Sequence, residues 1–401
     1  MRVMVALEDR FMRVPDGHIY SGTLFDYNFW KRYLQVFDEV VVLARVGDTA
    51  EEVKNKVPAN GPGVSFFCLP YYVGPWQYIR QHCKLAALME QAINCADAFI
   101  LRIPGRIATL LWHRLMAEKI PYGVEVLGSS VDSNRTSGAN FLVRCINGLL
   151  RGQKEECEHA SVALYITQSY LQRLYPSYCW SISCSDVTLP EEAIISEAEQ
   201  MKRIRLIKEA VNGHKSFRIC HAGTMAALYK AQDVLIEAVS ICLGRGLNME
   251  LTLLGDGKYR KYFENKAREL RIADNVIFLG QLPPGQAVRN QLDRADIFVL
   301  PSLTEGQGMV LIEAMARGLP CVASDVGGIP ELLDAEDLVP PGDAQSLAKK
   351  IEEVVGDFER LKRMSLRNLK KAREYSETEL SSRRVEFYKR VAEISKGFHF
   401  C

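Results

Sequence analysis

Short apolar runs alternate with longer amphipathic stretches over most of the chain. In the first half, the runs that we predict as buried strands are 3–7, 40–43, 66–69, 98–101 and 163–167, the last of which reads as the final strand of that half. Helical patterns occupy 27–36 and 84–93 between them. Strands that are apolar throughout are typical of parallel sheets covered on both faces, and their alternation with helices predicts an α/β architecture.

The same alternation is more regular in the second half. We predict strands at 217–220, 250–254, 276–279, 297–300 and 321–324, and helices at 233–243, 258–270, 286–294, 309–317 and 346–355. A strongly charged stretch, 191–209, separates the two series, and its polarity predicts a solvated helix or a linker. We therefore place a first domain at 1–190 and a second at 191–375.

The composition excludes several classes of protein. The chain has 401 residues, 48% of them hydrophobic, and its 50 Lys and Arg nearly balance its 49 Asp and Glu. This apolar content argues against disorder, and the net charge of +1 argues against a dedicated nucleic-acid binder. No apolar run reaches the roughly 18 residues of a membrane span, and acidic residues follow too soon after Met1 for a signal peptide. We expect a cytoplasmic protein.

Two features of the sequence leave an alternative open. The 11 cysteines form no Cys-x-x-Cys pair, which favours free thiols in a reducing compartment over a disulfide between Cys179 and Cys184. The stretch 348–401 has 14 Lys and Arg against 9 Asp and Glu. Solvated surface helices are the favoured interpretation of that stretch, and a basic face toward anionic lipid or an anionic acceptor is the other.

The segment 300–320 carries the densest chemical signal. A predicted strand ends at Pro301 and Ser302, a loop with Gly306 and Gly308 follows, and a helix begins at Met309. This order places backbone N–H groups and the positive end of a helix at the carboxyl edge of a parallel sheet, which favours phosphate binding. Glycines let a phosphate oxygen approach the backbone closely.

Two carboxylates flank this phosphate site. Glu305 lies in the loop, and Glu313 lies in the helix among apolar neighbours, where a charge needs a partner or a hydrogen-bond donor. A buried salt bridge would satisfy Glu313 equally well if it stood alone. Together with Gly306 and Gly308, however, the pair suggests a nucleotide-sugar, with its sugar at Glu305 and its ribose at Glu313.

An ordered set of motifs over residues 217–345 resembles the retaining glycosyltransferases of family 4. The Glu-x7-Glu motif is Glu305 to Glu313, and it is accompanied by LLGDG at 253–257, VIFLG at 276–280, ADIFVLPS at 295–302 and DVGGIPE at 325–331. The resemblance implies the α/β fold called GT-B, in which two Rossmann-like domains with parallel sheets face each other across a cleft. It also implies that the final helix, 376–401, packs back on the first domain.

The resemblance assigns candidate site residues. It makes Lys230 and Glu305 catalytic. The residues implied to bind the donor are Ser21, Gly22, Gly223, Thr224, Lys230, Gly255, Glu305, Gly306, Gly308, Met309, Val310, Leu311 and Glu313. The family usually has an arginine where this chain has Thr224, so half of the usual clamp on the leaving group is absent, and Arg102 or Arg106 could replace it. The candidate acceptor-side residues are His18, Arg102, Arg106 and Glu125.

The implied activity is the transfer of a hexose-type sugar, with retention of configuration, from a UDP- or GDP-linked donor to a hydroxyl group of a glycan or lipid-linked acceptor. The product would be a cell-surface polysaccharide or another glycoconjugate. No Asp-x-Asp motif is present, so we expect neither a metal nor a cofactor besides the donor. The expected location is the cytoplasm, with peripheral contact at the inner membrane face left open. The missing arginine motivates a non-catalytic nucleotide-sugar-binding protein as the alternative, and another GT-B class, an epimerase or a phosphorylase, ranks third.

Overall fold

The computed structural model describes residues 1–22, 25–50, 57–129, 152–212 and 216–398. These residues form two compact units. The first runs from residue 1 to 184 and includes the chain from 381 onward, and the second runs from 185 to 380. The first division therefore lies at 184/185, six residues before the position that we predicted, and the second falls within the last helix.

The first unit is built on a parallel sheet in the order β4-β3-β1-β5-β6-β7-β8, with β2 antiparallel to β1. Its strands are β1 (Arg2–Arg13), β2 (Ile19–Ser21), β3 (Glu39–Asp48), β4 (Val64–Leu69), β5 (Ala98–Ile103), β6 (Gly123–Val126), β7 (Val162–Tyr165) and β8 (Trp180–Ser183). The expectation that 163–167 is the last strand of this half is wrong, because β8 adds to the sheet beside β7.

The first unit has six helices among its described residues. They are Tyr27–Trp30, Gly74–Ala92, Arg106–Ala117, Gln153–Glu158, Tyr170–Leu174 and the part of Glu377–Phe398 that follows residue 380. This last helix packs on β6, where a Cβ at Gly123 would lie 2.7 Å from Val391 and 3.1 Å from Phe387. The glycine therefore lets the helix approach the strand closely.

The second unit contains a wholly parallel sheet in the order β11-β10-β9-β12-β13-β14. Its strands are β9 (Phe217–Ala222), β10 (Met249–Leu254), β11 (Val276–Gly280), β12 (Ile297–Leu300), β13 (Cys321–Ser324) and β14 (Leu338–Val339), and its helices are Glu197–Asn212, Gln232–Gly244, Arg260–Glu269, Gln286–Arg294, Met309–Ala316, Ala344–Val355 and Phe358–Arg373. The predicted strands and helices of this half are confirmed, with ends that shift by one or two residues.

The strand order identifies the architecture of both units. Relative to chain order, the second sheet runs 3-2-1-4-5-6, the usual order of a Rossmann fold. The first sheet follows the same order and adds one strand, once the hairpin strand β2 is set aside. The order reverses between β9 and β12 and between β1 and β5. Ligands of such sheets bind at the carboxyl ends of the strands beside this reversal.

Candidate functional site

The predicted donor residues of the second unit gather at its strand-order reversal. β9 ends at Ala222 and leads into a loop and a short 3-10 turn, Leu228–Lys230. The neighbouring strand β12 ends at Leu300, and its loop leads to the Met309–Ala316 helix. The two loops are joined by a hydrogen bond from the Leu303 N–H to the Tyr229 carbonyl, at 2.8 Å. Lys230 and Glu305 therefore meet although they lie far apart in the sequence.

Lys230 and Glu305 form an ion pair. The Lys230 Nζ lies 2.6 Å from the Glu305 Oε2, and the side chains are only 12% and 13% exposed. Ser302 Oγ donates a second hydrogen bond to the same carboxylate oxygen, at 3.2 Å. The structure thus places a cation and a carboxylate together at the sheet edge, each held in one orientation.

The helix that follows the loop begins at Gly308. This residue has a left-handed conformation, with φ of 83°, and no side chain caps the helix. The start of the helix therefore presents its backbone N–H groups and positive dipole without a competing side-chain acceptor. Met309 is 42% exposed, whereas Leu311 is buried. This geometry suits an anionic group.

A glycine turn fixes the loop that carries Glu305. The Gly328 N–H donates to the Gly306 carbonyl at 3.0 Å. Gly327 has φ of 59°, and a Cβ there would lie 1.7 Å from the Glu305 carbonyl oxygen. Only glycine allows the two backbones to approach this closely. The paired glycines of the 325–331 motif therefore position the loop, a role that the sequence alone did not reveal.

Thr224, at the position where the resemblance implies an arginine, stabilises its own loop. Its Oγ1 accepts a hydrogen bond from the Ala226 N–H at 3.1 Å. The buried Gln232 donates to the carbonyls of Gly223 and Thr224. Gly255, at φ of 126°, packs so closely that a Cβ there would lie 2.1 Å from the Gly223 carbonyl oxygen. The loop is thus shaped by neutral groups, and Lys230 supplies its cation.

Glu313 is mostly buried without a partner. Among the described residues, it takes part in no hydrogen bond and no ion pair. Burial raises the pKa of its carboxyl, and the positive charge of Arg289 opposes that rise. Arg289 itself donates to Gln286 at 3.1 Å. The salt bridge that we considered as an alternative for Glu313 is therefore not seen, and its carboxylate can accept hydrogen bonds from a ligand.

Sequence reasoning missed His221, which lies directly beneath the loop. Its ring is fully buried, with Nδ1 2.9 Å from the Val299 carbonyl oxygen. A Cβ at Gly223 would lie 3.0 Å from His221 Nε2. Burial lowers the pKa of this histidine to about 4, and the charge of Lys230 adds to the effect. The imidazole is therefore neutral near pH 7. The available signal was a histidine within the mostly apolar run 217–222, which also contains Arg218.

The segment 16–22, which contains the candidate residues His18, Ser21 and Gly22, includes the turn and the second strand of a β-hairpin. A register irregularity between Ala6 and Arg10 lets β1 continue to Arg13, where it pairs with β2. Ser21 is therefore a buried strand residue whose Oγ lies 3.3 Å from Asp9 Oδ2. His18 lies in the exposed turn, where its backbone N–H donates to Asp16 Oδ1 at 2.9 Å. Gly22 follows the strand, and a Cβ there would meet nothing within 4 Å.

Two of the predicted acceptor-side residues are buried inside the first unit. Arg102 and Glu125 are 3% and 2% exposed, and they form an ion pair with each other. The Tyr33 hydroxyl donates to both oxygens of Glu125 at 3.0 Å. The Tyr388 hydroxyl of the last helix donates to Glu125 Oε1 at 3.4 Å. This burial leaves neither Arg102 nor Glu125 open to an acceptor or a donor phosphate. The expectation of such roles is corrected accordingly.

Arg106 differs from Arg102. It is the first residue of the Arg106–Ala117 helix at the carboxyl edge of the first sheet, and its guanidinium lies 5.0 Å from the centre of the Tyr78 ring. Arg106 is only partly buried. It therefore remains the one of the two candidate arginines whose position is compatible with a ligand contact.

The described part of the chain lacks three kinds of feature: a metal-binding cluster, a membrane-spanning helix and a disulfide. No group of three or more His, Cys, Asp or Glu there could hold a metal ion. No helix there is long and apolar enough to cross a membrane. The nine cysteines in that part are free thiols. They include Cys179 and Cys184, so the alternative disulfide is absent.

Comparison with known proteins establishes the family. The sequence profile described as "Glycosyl transferases group 1" matches residues 216–357. Protein CapJ of Staphylococcus aureus is 31% identical over 336 residues, which are 83% of this chain and 81% of CapJ. The chain therefore belongs to the group 1 glycosyltransferases, and the predicted membership of family 4 is confirmed.

Further relatives and solved structures agree with this assignment. The amylovoran biosynthesis glycosyltransferase AmsK of Erwinia amylovora is 38% identical over 34% of this chain and 35% of AmsK. Sucrose-phosphate synthase from Thermosynechococcus elongatus superposes with a TM-score of 0.73 at 16% identity, covering 98% of this chain and 99% of that one. HepE of Anabaena, solved with UDP, superposes with a TM-score of 0.63 at 16% identity, covering 99% of this chain and 100% of HepE. These structures confirm the GT-B fold.

Proposed function

We propose that the chain transfers a hexose-type sugar from a UDP- or GDP-linked donor to a hydroxyl group of a glycan or lipid-linked acceptor, with retention of configuration and without a metal. The observation that carries the proposal is the Lys230–Glu305 ion pair beside the uncapped helix at Gly308. A cation, a carboxylate and a helix N-terminus within two adjacent loops match the three parts of a nucleotide-sugar: diphosphate, sugar hydroxyls and nucleoside.

Each part of the donor has a proposed contact. The diphosphate binds at the backbone of Gly308, Met309, Val310 and Leu311, where the helix dipole favours negative charge. The ribose hydroxyls donate to Glu313, whose carboxylate lacks a partner among the described residues. The sugar hydroxyls donate to Glu305. Gly306 and the turn around Gly223 and Gly255 let the donor approach the backbone closely.

The chemical step requires stabilisation of the departing diphosphate. Once the donor is bound, Lys230 and the Gly308 helix end supply positive charge at that position, and neither needs to move further during the transfer step. The acceptor hydroxyl attacks the anomeric carbon from the side of the leaving group and passes its proton to the departing phosphate oxygen. The bond from sugar to phosphate breaks, and the new glycosidic bond forms on the same face. When the donor binds, Lys230 shifts its interaction from Glu305 to the phosphate.

The relatives support a role in building polysaccharides. AmsK is named for amylovoran biosynthesis. WcaL of Salmonella typhimurium, 36% identical over 31% of this chain, is named as a putative colanic acid biosynthesis glycosyltransferase. We propose that this chain likewise acts in the synthesis of a cell-surface polysaccharide or a related glycoconjugate, at the cytoplasmic side of the membrane.

The test is a donor panel. The purified protein is incubated with UDP-, GDP- and ADP-hexoses and a mixture of glycan and lipid-linked acceptors, and nucleotide release is followed with and without EDTA. We expect release from one donor class, unaffected by EDTA and lost in Lys230→Met. Lys258→Met, an exposed lysine of the same unit, is the matched control and should retain activity.

The same experiment separates the alternative. NMR of the product should show the donor's anomeric configuration in the new linkage, and inversion would contradict the retaining mechanism. Calorimetric binding of a donor with no release under any condition would favour the non-catalytic nucleotide-sugar-binding protein. Neither binding nor release with any donor would overturn the proposal as a whole.

A further inference from the structure

An exposed apolar face lies at the start of the Gly74–Ala92 helix. The four large side chains Tyr71, Val73, Trp76 and Ile79 are 37%, 48%, 63% and 46% exposed. They fall within nine consecutive residues, whereas no nine-residue stretch elsewhere in the described chain exposes more than two large apolar side chains. We call Tyr71, Val73, Trp76, Ile79, Arg80 and Lys84 the Trp76 face. Contiguous exposed apolar surface of this kind marks an interaction site.

The Trp76 face is held on a rigid base. Tyr72 and Tyr78 alternate with its members and are buried, at 1% and 3% exposure. The Tyr72 hydroxyl donates to Glu8 at 3.2 Å, and its carbonyl accepts a hydrogen bond from Arg45 at 3.1 Å. These anchors fix the backbone, so the neighbouring apolar side chains stay directed outward and cannot turn into the core.

The charges within the Trp76 face have one sign. Arg80 and Lys84 lie one and two turns beyond Trp76, both are exposed, and neither has an ion-pair partner among the described residues. The sequence contains no Asp or Glu between Glu52 and Glu90. The face therefore combines Trp, Tyr and aliphatic side chains with uncompensated positive charge.

The basic stretch at 348–401, our earlier candidate for such a surface, looks different. Among the described residues, at least six of its 14 Lys and Arg form ion pairs, including Lys349 with Glu353, Arg367 with Asp337 and Lys371 with Glu374. The stretch is also divided between the two units. Among its described residues it exposes one large apolar side chain, Leu366 at 43%, so it lacks the apolar part of the Trp76 face.

We infer that the Trp76 face docks the protein on an anionic lipid bilayer. Trp and Tyr side chains favour the membrane interface, aliphatic side chains enter the acyl boundary, and basic side chains are attracted to anionic head groups. The single positive sign of the charges within the face favours an anionic lipid surface.

The position of the face gives the docking a use. It follows the carboxyl end of β4, and Tyr78 beneath it lies 5.0 Å from the guanidinium of Arg106 at the same edge of the first sheet. A hydroxyl acceptor anchored in the bilayer would thus be presented at the edge where the strand order of this unit reverses. The inference goes beyond the proposed transfer reaction, because docking requires neither a donor nor turnover.

The test measures binding to vesicles without any sugar donor. The whole protein is sedimented with vesicles of phosphatidylcholine alone or with phosphatidylglycerol, and quenching by brominated lipid reports insertion of tryptophan. We expect binding only to the anionic vesicles. Arg80→Gln with Lys84→Gln should weaken it about thirtyfold, since each basic residue contributes about 1 kcal/mol at such a surface. Trp76→Ala should weaken it about tenfold.

Controls keep the result specific. Tyr178→Ala removes an isolated aromatic side chain that is 82% exposed, and Lys349→Gln with Lys362→Gln alters the basic stretch. Both should bind like wild type. Trp76→Phe should retain binding and lose most of the quenching. Equal binding to both kinds of vesicle, binding that survives the Trp76 and Arg80 changes, or binding lost through Lys349 would overturn the inference. So would a protein dimer that Trp76→Ala dissociates in place of vesicle binding.

Discussion

The Lys230–Glu305 pair allows structural and chemical roles to be separated. Lys230→Met keeps most of the side-chain length and removes the charge, and Glu305→Gln keeps the shape and removes the charge. Since the two side chains are only 12% and 13% exposed, either single change leaves a nearly buried charge without its partner. The double variant leaves none.

The structure sets the expected magnitudes. Breaking a buried ion pair by removing one member costs about 3–5 kcal/mol. We expect about 3 kcal/mol for Lys230→Met, because Ser302 still donates to Glu305 at 3.2 Å. Most of the stability should return in the double variant. Turnover should fall about 10²–10³-fold in Lys230→Met, as when a group that stabilises transition-state charge is removed, and it should stay low in the double variant.

The assay uses the distribution of tryptophan. The four tryptophans, Trp30, Trp76, Trp112 and Trp180, all belong to the first unit, whereas Lys230 lies in the second. Urea unfolding is therefore followed by tryptophan fluorescence, which reports the first unit, and by far-UV circular dichroism, which reports both. Lys230→Met should shift only the circular dichroism transition.

Two results would refute this reasoning. Turnover that returns with stability in the double variant would mean that Lys230 acts only by supporting the fold. Wild-type stability of Lys230→Met would mean that the pair is not a buried one in solution. Lys258→Met, at an exposed lysine of the same unit, should change neither stability nor turnover.

Three further predictions concern single residues of the second unit. Gly327→Ala places a methyl group 1.7 Å from the Glu305 carbonyl oxygen and should lose about 3 kcal/mol of unfolding free energy and most activity. The control Gly342→Ala, also at positive φ but with its nearest neighbour at 3.5 Å, should lose about 1 kcal/mol. Equal losses of the two variants in urea unfolding would contradict this prediction. In calorimetry, wild-type donor binding should weaken as pH falls, since burial raises the pKa of the Glu313 carboxyl and its protonation removes a hydrogen-bond acceptor. Glu313→Gln should bind the donor more weakly than wild type, and its affinity should not change over the same pH range. A variant with wild-type affinity would exclude the ribose contact. As pH falls from about 6.5 to 4, the wild type should lose about 3 kcal/mol of stability, because its unfolded imidazole binds a proton that the buried ring, with a pKa of about 4, does not. His221→Asn should not show this loss. Parallel profiles of stability against pH for the two proteins would contradict the prediction.

Local sequence determined most of the second unit. Strands buried on both faces appear as continuous apolar runs, and the helices between them carry their own periodicity and stop signals, so 286–294 and 297–300 were predicted with the observed ends. The loop that contains Glu305 and Gly308 was predictable for the same reason. Its strand, glycines and helix are consecutive in the chain, and their chemistry does not depend on distant residues.

The first unit shows where local pattern was insufficient. Arg102 follows the predicted strand 98–101, and both Arg102 and Glu125 were predicted as acceptor-side residues. They lie on adjacent strands, however, so their opposite charges meet and are buried together with Tyr33 and Tyr388. Ser21 similarly became a strand residue because β1 continues past its irregularity and pairs with the chain that returns.

By itself, then, the sequence determined the order of strands and helices, the glycine-bounded loop and the identity of the charged groups within it. The tertiary structure decided which of those groups face each other. Lys230 and Glu305 are 75 residues apart, and the neutral His221 lies beneath them only because β9 and β12 are adjacent in the sheet. The pairing of non-consecutive strands arises from packing of the whole domain, and no local pattern of polar and apolar residues encodes it.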